Sequence, residues 1–202
     1  MTTSIWDNEQ LRAQYPHCAT LGEIIRALEE DFSKRGEVIC EIRVNGVLLD
    51  EADEVKFTGN ASDGIQDLTI ASNSPEQLIG GALASALTFI PEIEAACITS
   101  AEALRGPDAA NARRSFVEIL DGCQWLVDTI LHVRGAASGV GRPVKSSEKW
   151  FEAEKLMNNV IVEVTDAFTK SDTVLVADLL EYELPTALSL WAETLKEEQA
   201  SR

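Results

Sequence analysis

The sequence predicts an α+β fold, mostly α: a small N-terminal helix plus a three-stranded antiparallel meander, followed by an antiparallel four-helix bundle with two Pro-kinked helices. Three observations carry this. A helical spacing of apolar residues at 21–32 gives way to an alternating one near 38–49 and again near 66–71. From residue 74 onward, four apolar stripes recur at helical spacing, joined by two short connections and one longer one. Two prolines, Pro91 and Pro185, fall near the middle of the first and last stripes, where each removes a backbone donor and crowds the preceding turn. The expected organisation is a tail over 1–19, a small α/β module over 20–73, and a bundle over 74–202 with a linker at 135–147.

Met1–Ala19 reads as a tail with a few apolar anchors, Ile5, Trp6, Leu11 and Tyr15. Thr20-Leu21-Gly22-Glu23 has capping-box spacing, and Leu21, Ile24, Ile25, Leu28 and Phe32 continue it as one helix face. Gly36 suits the left-handed residue that ends a helix. Val38, Cys40, Ile42 and Val44 then alternate with Glu37, Ile39, Glu41 and Arg43, as a strand with one buried face does. Asn45-Gly46 is a type I′ hairpin signal, since both central residues of that turn need positive φ. Val47-Leu48-Leu49 forms the return strand. Gln66–Ala71 forms the third, with Leu68 and Ile70 inward.

Ser74-Pro75-Glu76-Gln77 combines an N-cap, a proline at the first helical position and Gln at the third. The first stripe runs Ile79, Leu83, Ala86, Ile90, Ile93, Cys97, Ala101, Leu104, and Gly106-Pro107 stops it. Asp108 is placed to cap the second stripe, Ala112, Phe116, Ile119, Cys123, Leu126, Ile130, Val133. Ser146 or Ser147 opens the third, with Trp150, Met157, Val160, Ile161, Val164 and Phe168. Asp172 caps the fourth, with Val176, Leu180, Leu184, Ala187, Trp191 and Leu195.

Composition bounds function. The chain has 202 residues, 45% of them hydrophobic and 25% charged, which is an ordinary globular balance. Its formal net charge of −17 disfavours nucleic acid and anionic membrane as partners, because polyanion contacts need Lys and Arg. No signal peptide and no uninterrupted apolar stretch long enough to span a bilayer is expected. Four scattered cysteines, Cys18, Cys40, Cys97 and Cys123, favour a reducing compartment, hence the cytoplasm. Cys40, Cys97 and Cys123 fall on predicted core stripes and should behave as small hydrophobes.

Leu131-His132-Val133-Arg134-Gly135, followed by small residues and Gly141, resembles the phosphoacceptor motif of histidine phosphotransfer domains, His-x-x-Lys-Gly. The alignment sets Leu131 at the phosphorylated position and His132 one residue along, about 100° around a helix. The resemblance implies a degenerate phosphotransfer-like signalling bundle, with His132 and Arg134 as its candidates. The bland alternative sets His132 and Arg134 in a last helical turn, ended by Gly135. The same glycines only partly match a phosphate-binding loop, with Arg142 for the Lys and Pro143 for the hydroxyl residue. Glu163-Val164-Thr165-Asp166 has the Glu-x-x-Asp spacing of helical Mg-dependent pyrophosphatases, but Glu148, Glu152 and Glu154 are wrongly spaced to complete the set. Two histidines, His17 and His132, are too few for a zinc site. The run Asp50–Glu54 lacks calcium-loop spacing and reads as solvated.

Subtraction therefore leaves a non-catalytic cytoplasmic interaction module, adaptor or chaperone-like, with no catalytic residue, cofactor or metal. In type, though without a shared motif, it looks like the small acidic helical chaperones of bacterial secretion and flagellar export. A Mg-dependent helical hydrolase is the remaining alternative. The expected partner is a protein with a basic surface, or a second copy of the chain. Candidate contact residues are Trp6 in the tail, Trp125 off the main stripe of its helix, Tyr182, Pro91 and Pro185.

Overall fold

In a computed structural model the chain is mostly helical, with a small four-stranded antiparallel sheet near its N-terminus. Residues 1–49, 59, 61–106, 109–145 and 147–202 are described, with the backbone alone for 109–113 and 147. The chain divides into two compact units, Met1–Leu78 and Ile79–Arg202.

The first unit opens with β1 (Thr2–Asp7) and α1 (Asn8–Gln14). This corrects the expected tail and raises the strand count from three to four. Asp7 is the reason the strand turns into a helix: its carboxylate accepts from the Gln10 N–H (2.8 Å), and the Gln10 side chain returns the bond to the Asp7 N–H (3.1 Å). The Asn8 amide then donates to the carbonyls of Ser62 (3.2 Å) and Ile65 (2.6 Å), which fastens the segment to its own unit.

Next come α2 (Leu21–Lys34), β2 (Val38–Val44), β3 (Val47–Leu48), a short 3₁₀ turn (Ser62–Gly64) and β4 (Asp67–Asn73). The capping box at Thr20 and Glu23 is formed, and Gly36 (φ 72°) closes α2. Asn45 (φ 52°) and Gly46 (φ 78°) make the hairpin turn. The Asn45 side chain also accepts from the Gln66 N–H at 2.7 Å, which ties the hairpin to the start of β4.

The strand order is β1-β4-β2-β3, with β4 beside β2 on the side away from β3. The expected meander, in which each strand neighbours the next, is corrected. A two-residue β3 covers only the end of β2, and β4 takes the other edge of β2. The unit's core is Leu11, Leu21, Ile24, Ile25, Leu28, Phe32, Ile42, Leu49, Ile65, Leu68 and Ile70. The acidic run Asp50–Glu54 lies outside the described residues.

The second unit is helical: α3 (Pro75–Arg105, whose first turn belongs to the first unit), α4 (Ala109–Gly139), α5 (Ser147–Thr169), α6 (Thr173–Asp178), a π-helical turn (Leu179–Glu183) and α7 (Leu184–Ala200). Their stripes build one core, with Ile90, Cys97, Phe116, Cys123, Trp150, Met157, Leu180 and Trp191 among its members. Ser74 and Gln77 cap α3 reciprocally, and Asp172 accepts from the Leu175 N–H (3.1 Å) to cap α6. Asp108 and Ser146, expected as caps, lie outside the described residues, as does the side chain of Ser147.

One expectation about a helix end is corrected. Gly135–Gly139, read as the start of a linker, is helical. The stop is at Gly141 (φ 72°), where the Arg142 N–H reaches the Ala137 carbonyl (3.0 Å) and the Gly141 N–H that of Ser138 (3.1 Å). Only a residue at ease with positive φ closes that motif, and three alanine- and serine-rich positions before it cost the helix little.

Pro185 sits at a different irregularity. It follows the π-turn, in which the Leu184 N–H reaches back five residues to Leu179. Proline has no N–H to donate and its ring crowds the turn before it, so the chain changes hydrogen-bond register there. Across that turn Arg105 pairs with Asp178 (2.7 Å) and with Glu181. Pro91, in contrast, sits exposed within an α3 that continues on both sides of it.

Ser171 adopts φ 58° in the motif that ends α5, a conformation that crowds the Cβ of any residue but glycine. Ser171→Gly should therefore raise the stability of the helical unit by about 1 kcal/mol. Urea unfolding followed by circular dichroism measures it.

Candidate functional site

The α3 sequence sets the site. From Gln77 to Pro91 it carries no charged residue. One face of this stretch, Ile79, Leu83, Ala86 and Ile90, is buried in the core. The opposite positions, Gly81, Ala84, Ser85 and Thr88, are exposed. Among the described residues α3 is the one helix long and apolar enough, by length and composition, to cross a membrane, a test that the core helix of a soluble protein also passes. Core-facing and outward-facing apolar residues together make it so.

Beside it lies α4. Gly122 is buried against α3, and a Cβ there would meet Ile93 and Phe89 at 3.4–3.5 Å. This close approach brings Trp125 edge-on to Phe89, with ring centroids 4.9 Å apart. The two rings, with Ala84, Ser85, Thr88 and Glu92, line an open surface groove of about 480 Å³. Trp125 is 43% exposed. The Thr88 hydroxyl donates to the Ala84 carbonyl (3.0 Å), so it is already used within the helix. Asp121 and Asp128 are exposed one turn either side of Trp125 on α4. Aromatic walls, small residues and a carboxylate rim suit contact with a large apolar side chain better than they suit acid–base or nucleophilic chemistry.

The other candidates are placed as follows. Trp6, in β1, is half-buried, edge-on to Phe32 at 6.3 Å, and its Nε1 donates to Gln14 (3.1 Å). Tyr182 is 59% exposed on the π-turn. Its hydrogen bond to the Glu181 carboxylate raises its pKa above the usual phenol value, while the Arg105 guanidinium bonded to Glu181 holds that carboxyl below its usual range. Pro185 is next to this turn but Pro91 is on the α3 face, so the candidates divide between two regions of the helical unit.

His132 is exposed within α4, two turns short of its end, rather than in a last turn. Arg134 pairs with Glu154 of α5 at 2.9 Å. Two residues apart on a helix, His132 and Arg134 point about 200° from each other and do not converge. Glu163 and Asp166 are exposed on α5, and Asp166 pairs with Lys170 at 2.6 Å. Among the described residues no group of three or more His, Cys, Asp and Glu is arranged to hold a metal ion.

One polar cluster escaped the sequence reading. Glu198 is 3% exposed, accepts from the Lys145 N–H (2.9 Å) and pairs with Arg202 (2.8 Å). A charge at this depth needs such partners, and the cluster fastens the segment before α5 to the end of α7. Nothing in the spacing of α7 marks Glu198, because the apolar stripe of that helix simply continues onto it.

A family model described as a domain of unknown function (DUF8042) matches residues 82–194, more than half of the chain. The chain belongs to the DUF8042 family. The DUF8042 match runs from within α3 to within α7, and so contains Phe89, Trp125, the π-turn and Pro185. No curated protein and no solved structure matches the chain.

The cysteines need one correction. Cys97 and Cys123 are buried, but Cys40 is exposed. A β-bulge between Ile39 and Glu41 inserts Cys40 as the extra residue of β2, so the strand's phase flips and Ile39, not Cys40, packs on the core with Ile42. Maleimide should modify Cys40 first and Cys18 more slowly under native conditions, and reach Cys97 and Cys123 only after unfolding. Intact mass against time reads the order. Burial pushes the Cys97 and Cys123 thiols from 9.0 up to about 12. The folded chain then holds protons that the unfolded chain has lost, so this contribution is whole below pH 9.0 and falls away as pH rises toward about 12. Over that window the loss of unfolding free energy should be shallower in Cys97→Ala and Cys123→Ala than in the parent, as urea titrations at stepped pH would show.

Proposed function

We propose that the chain is a non-catalytic protein-interaction module, adaptor or chaperone-like, that works in the cytoplasm and docks a protein partner on its α3–α4 face. Its helical unit is read as an antiparallel four-helix bundle in which Pro91 and Pro185 bend the first and last helices. Support for the bundle comes from contacts that run around a ring. Gly122 meets Ile93 and Phe89 between α4 and α3, and Phe116 stacks on Phe168 (4.1 Å) between α4 and α5. Trp150 meets Trp191 (5.5 Å) between α5 and α7, and Ser189 donates to Glu94 (3.1 Å) between α7 and α3.

The observation that carries the docking reading is the Phe89–Trp125 pair: Phe89 belongs to the uncharged Gln77–Pro91 stretch of α3, and Trp125 stands exposed edge-on to it. An aromatic left in water beside small residues is a common anchor of protein interfaces. Four free cysteines fit a reducing compartment.

A photo-crosslinking amino acid at Thr88, in cells that naturally make the protein, should give discrete protein adducts. The same group at Val162, exposed on α5, should give few. Equal adducts at both positions, or none at Thr88, would remove the α3–α4 face from consideration.

A further inference from the structure

Charge is distributed unevenly around the helical unit. Residues 75–104 and 115–133, which form nearly all of α3 and the middle of α4, contain seven Asp and Glu and no Lys or Arg. The cations of this unit lie elsewhere, and several are already paired: Arg105 with Asp178 and Glu181, Arg134 with Glu154, Lys149 with Glu197 and Lys170 with Asp166. The groove thus has an apolar floor, Phe89, Trp125 and Ala84, and carboxylates at its margins, Glu92 lining it and Asp121 and Asp128 on the α4 side.

From this complementarity we infer that the α3–α4 groove receives a basic amphipathic helix of a partner protein. One apolar side chain of that helix enters between Phe89 and Trp125, and its lysines and arginines meet Glu92, Asp121 and Asp128. The inference rests on the docking reading above and gives it a partner chemistry.

The shape favours a helix. Two adjacent helices leave a trough that a third can occupy with residues at i, i+3, i+4 and i+7. Ala84, Ser85 and Thr88 keep one wall low, so a backbone can come close. The groove is open to solvent, which suits a side chain carried on a partner's surface more than a small molecule that must be enclosed. Electrostatics decides among occupants. A second copy would set the same carboxylates opposite each other, and an anionic vesicle or nucleic acid would meet the same repulsion, whereas a basic helix meets attraction that also speeds its encounter.

The test uses the full chain and three labelled synthetic helical peptides, read by fluorescence anisotropy. One carries Leu at i, i+3, i+4 and i+7 with Lys and Arg elsewhere, the second replaces those Leu by Ala, and the third replaces Lys and Arg by Glu. The inference expects the first to bind, with affinity falling as salt rises, and the other two to bind at least about tenfold more weakly. Trp125→Ala and Phe89→Ala should each weaken the first peptide by about tenfold. The triple variant Glu92→Gln, Asp121→Asn, Asp128→Asn should weaken it and flatten its salt dependence, while Phe151→Ala, exposed on α5, leaves it unchanged. Circular dichroism confirms that each variant is folded.

Equal binding of the Leu and Ala peptides, or indifference to both aromatic variants, overturns the inference. Sedimentation and vesicle flotation on the same variants separate the two levels. Self-association, or binding to phosphatidylglycerol vesicles, that Trp125→Ala abolishes would sink the basic helix yet keep the docking face. No response of any of the three measurements to Trp125→Ala or Phe89→Ala would sink both.

Discussion

One helix has to serve two surfaces. The stretch from Gln77 to Pro91 in α3 supplies the core with Ile79, Leu83, Ala86 and Ile90, and it presents Ala84, Ser85 and Thr88 to solvent without a single charge between them. A helix at the edge of a core ordinarily carries charged residues on its outer face, because that face gains nothing by being apolar. Here small residues occupy it. The absent side chain at Gly122 permits the close approach that brings Trp125 of α4 against Phe89, and the small residues line the groove beside that pair.

The rest of the helical unit is consistent with this division. Some cations close ion pairs between helices, as at Arg105 and Arg134, and residues 75–104 and 115–133, which flank the groove, carry none. Exposed ion pairs of this kind add little to stability singly. The negative field beside the groove follows instead from the sequence, which places no Lys or Arg at 75–104 or 115–133. The π-turn before Pro185 is a separate local solution. It absorbs the missing N–H of proline by a register change, and the Arg105 pairs span it, so the irregularity stays inside an otherwise continuous helical segment.

Much of the local structure was legible because it is written in short-range chemistry. Thr20 and Glu23, Ser74 and Gln77, Asp172, Gly36 and Asn45-Gly46 each satisfy or free backbone groups within a few residues, and each does so where the spacing suggests. Three features were not legible. The β1 strand offers no clear alternation to read, and only its pairing with β4 makes it a strand. The bulge at Cys40 reverses a strand's faces with one extra residue, and periodicity cannot show which residue that is. The end of α4 lies at Gly141 and not Gly135, since a glycine stops a helix only where the chain adopts positive φ. Of the candidate contact residues, Trp125 lines the α3–α4 groove, Pro91 is exposed on α3, Tyr182 and Pro185 lie at the π-turn, and Trp6 packs against Phe32 in the other unit.

By itself the sequence determined the helical stripes, the caps, the hairpin turn and the acidic field, since all of these depend on residues close together in the chain or on a sum over it. The tertiary structure decided the strand order, the partner of each aromatic ring and the depth of Glu198. Those depend on which segments meet, and residues as far apart as Phe89 and Trp125 carry no mark of their contact until two helices approach closely enough at a glycine to bring them together.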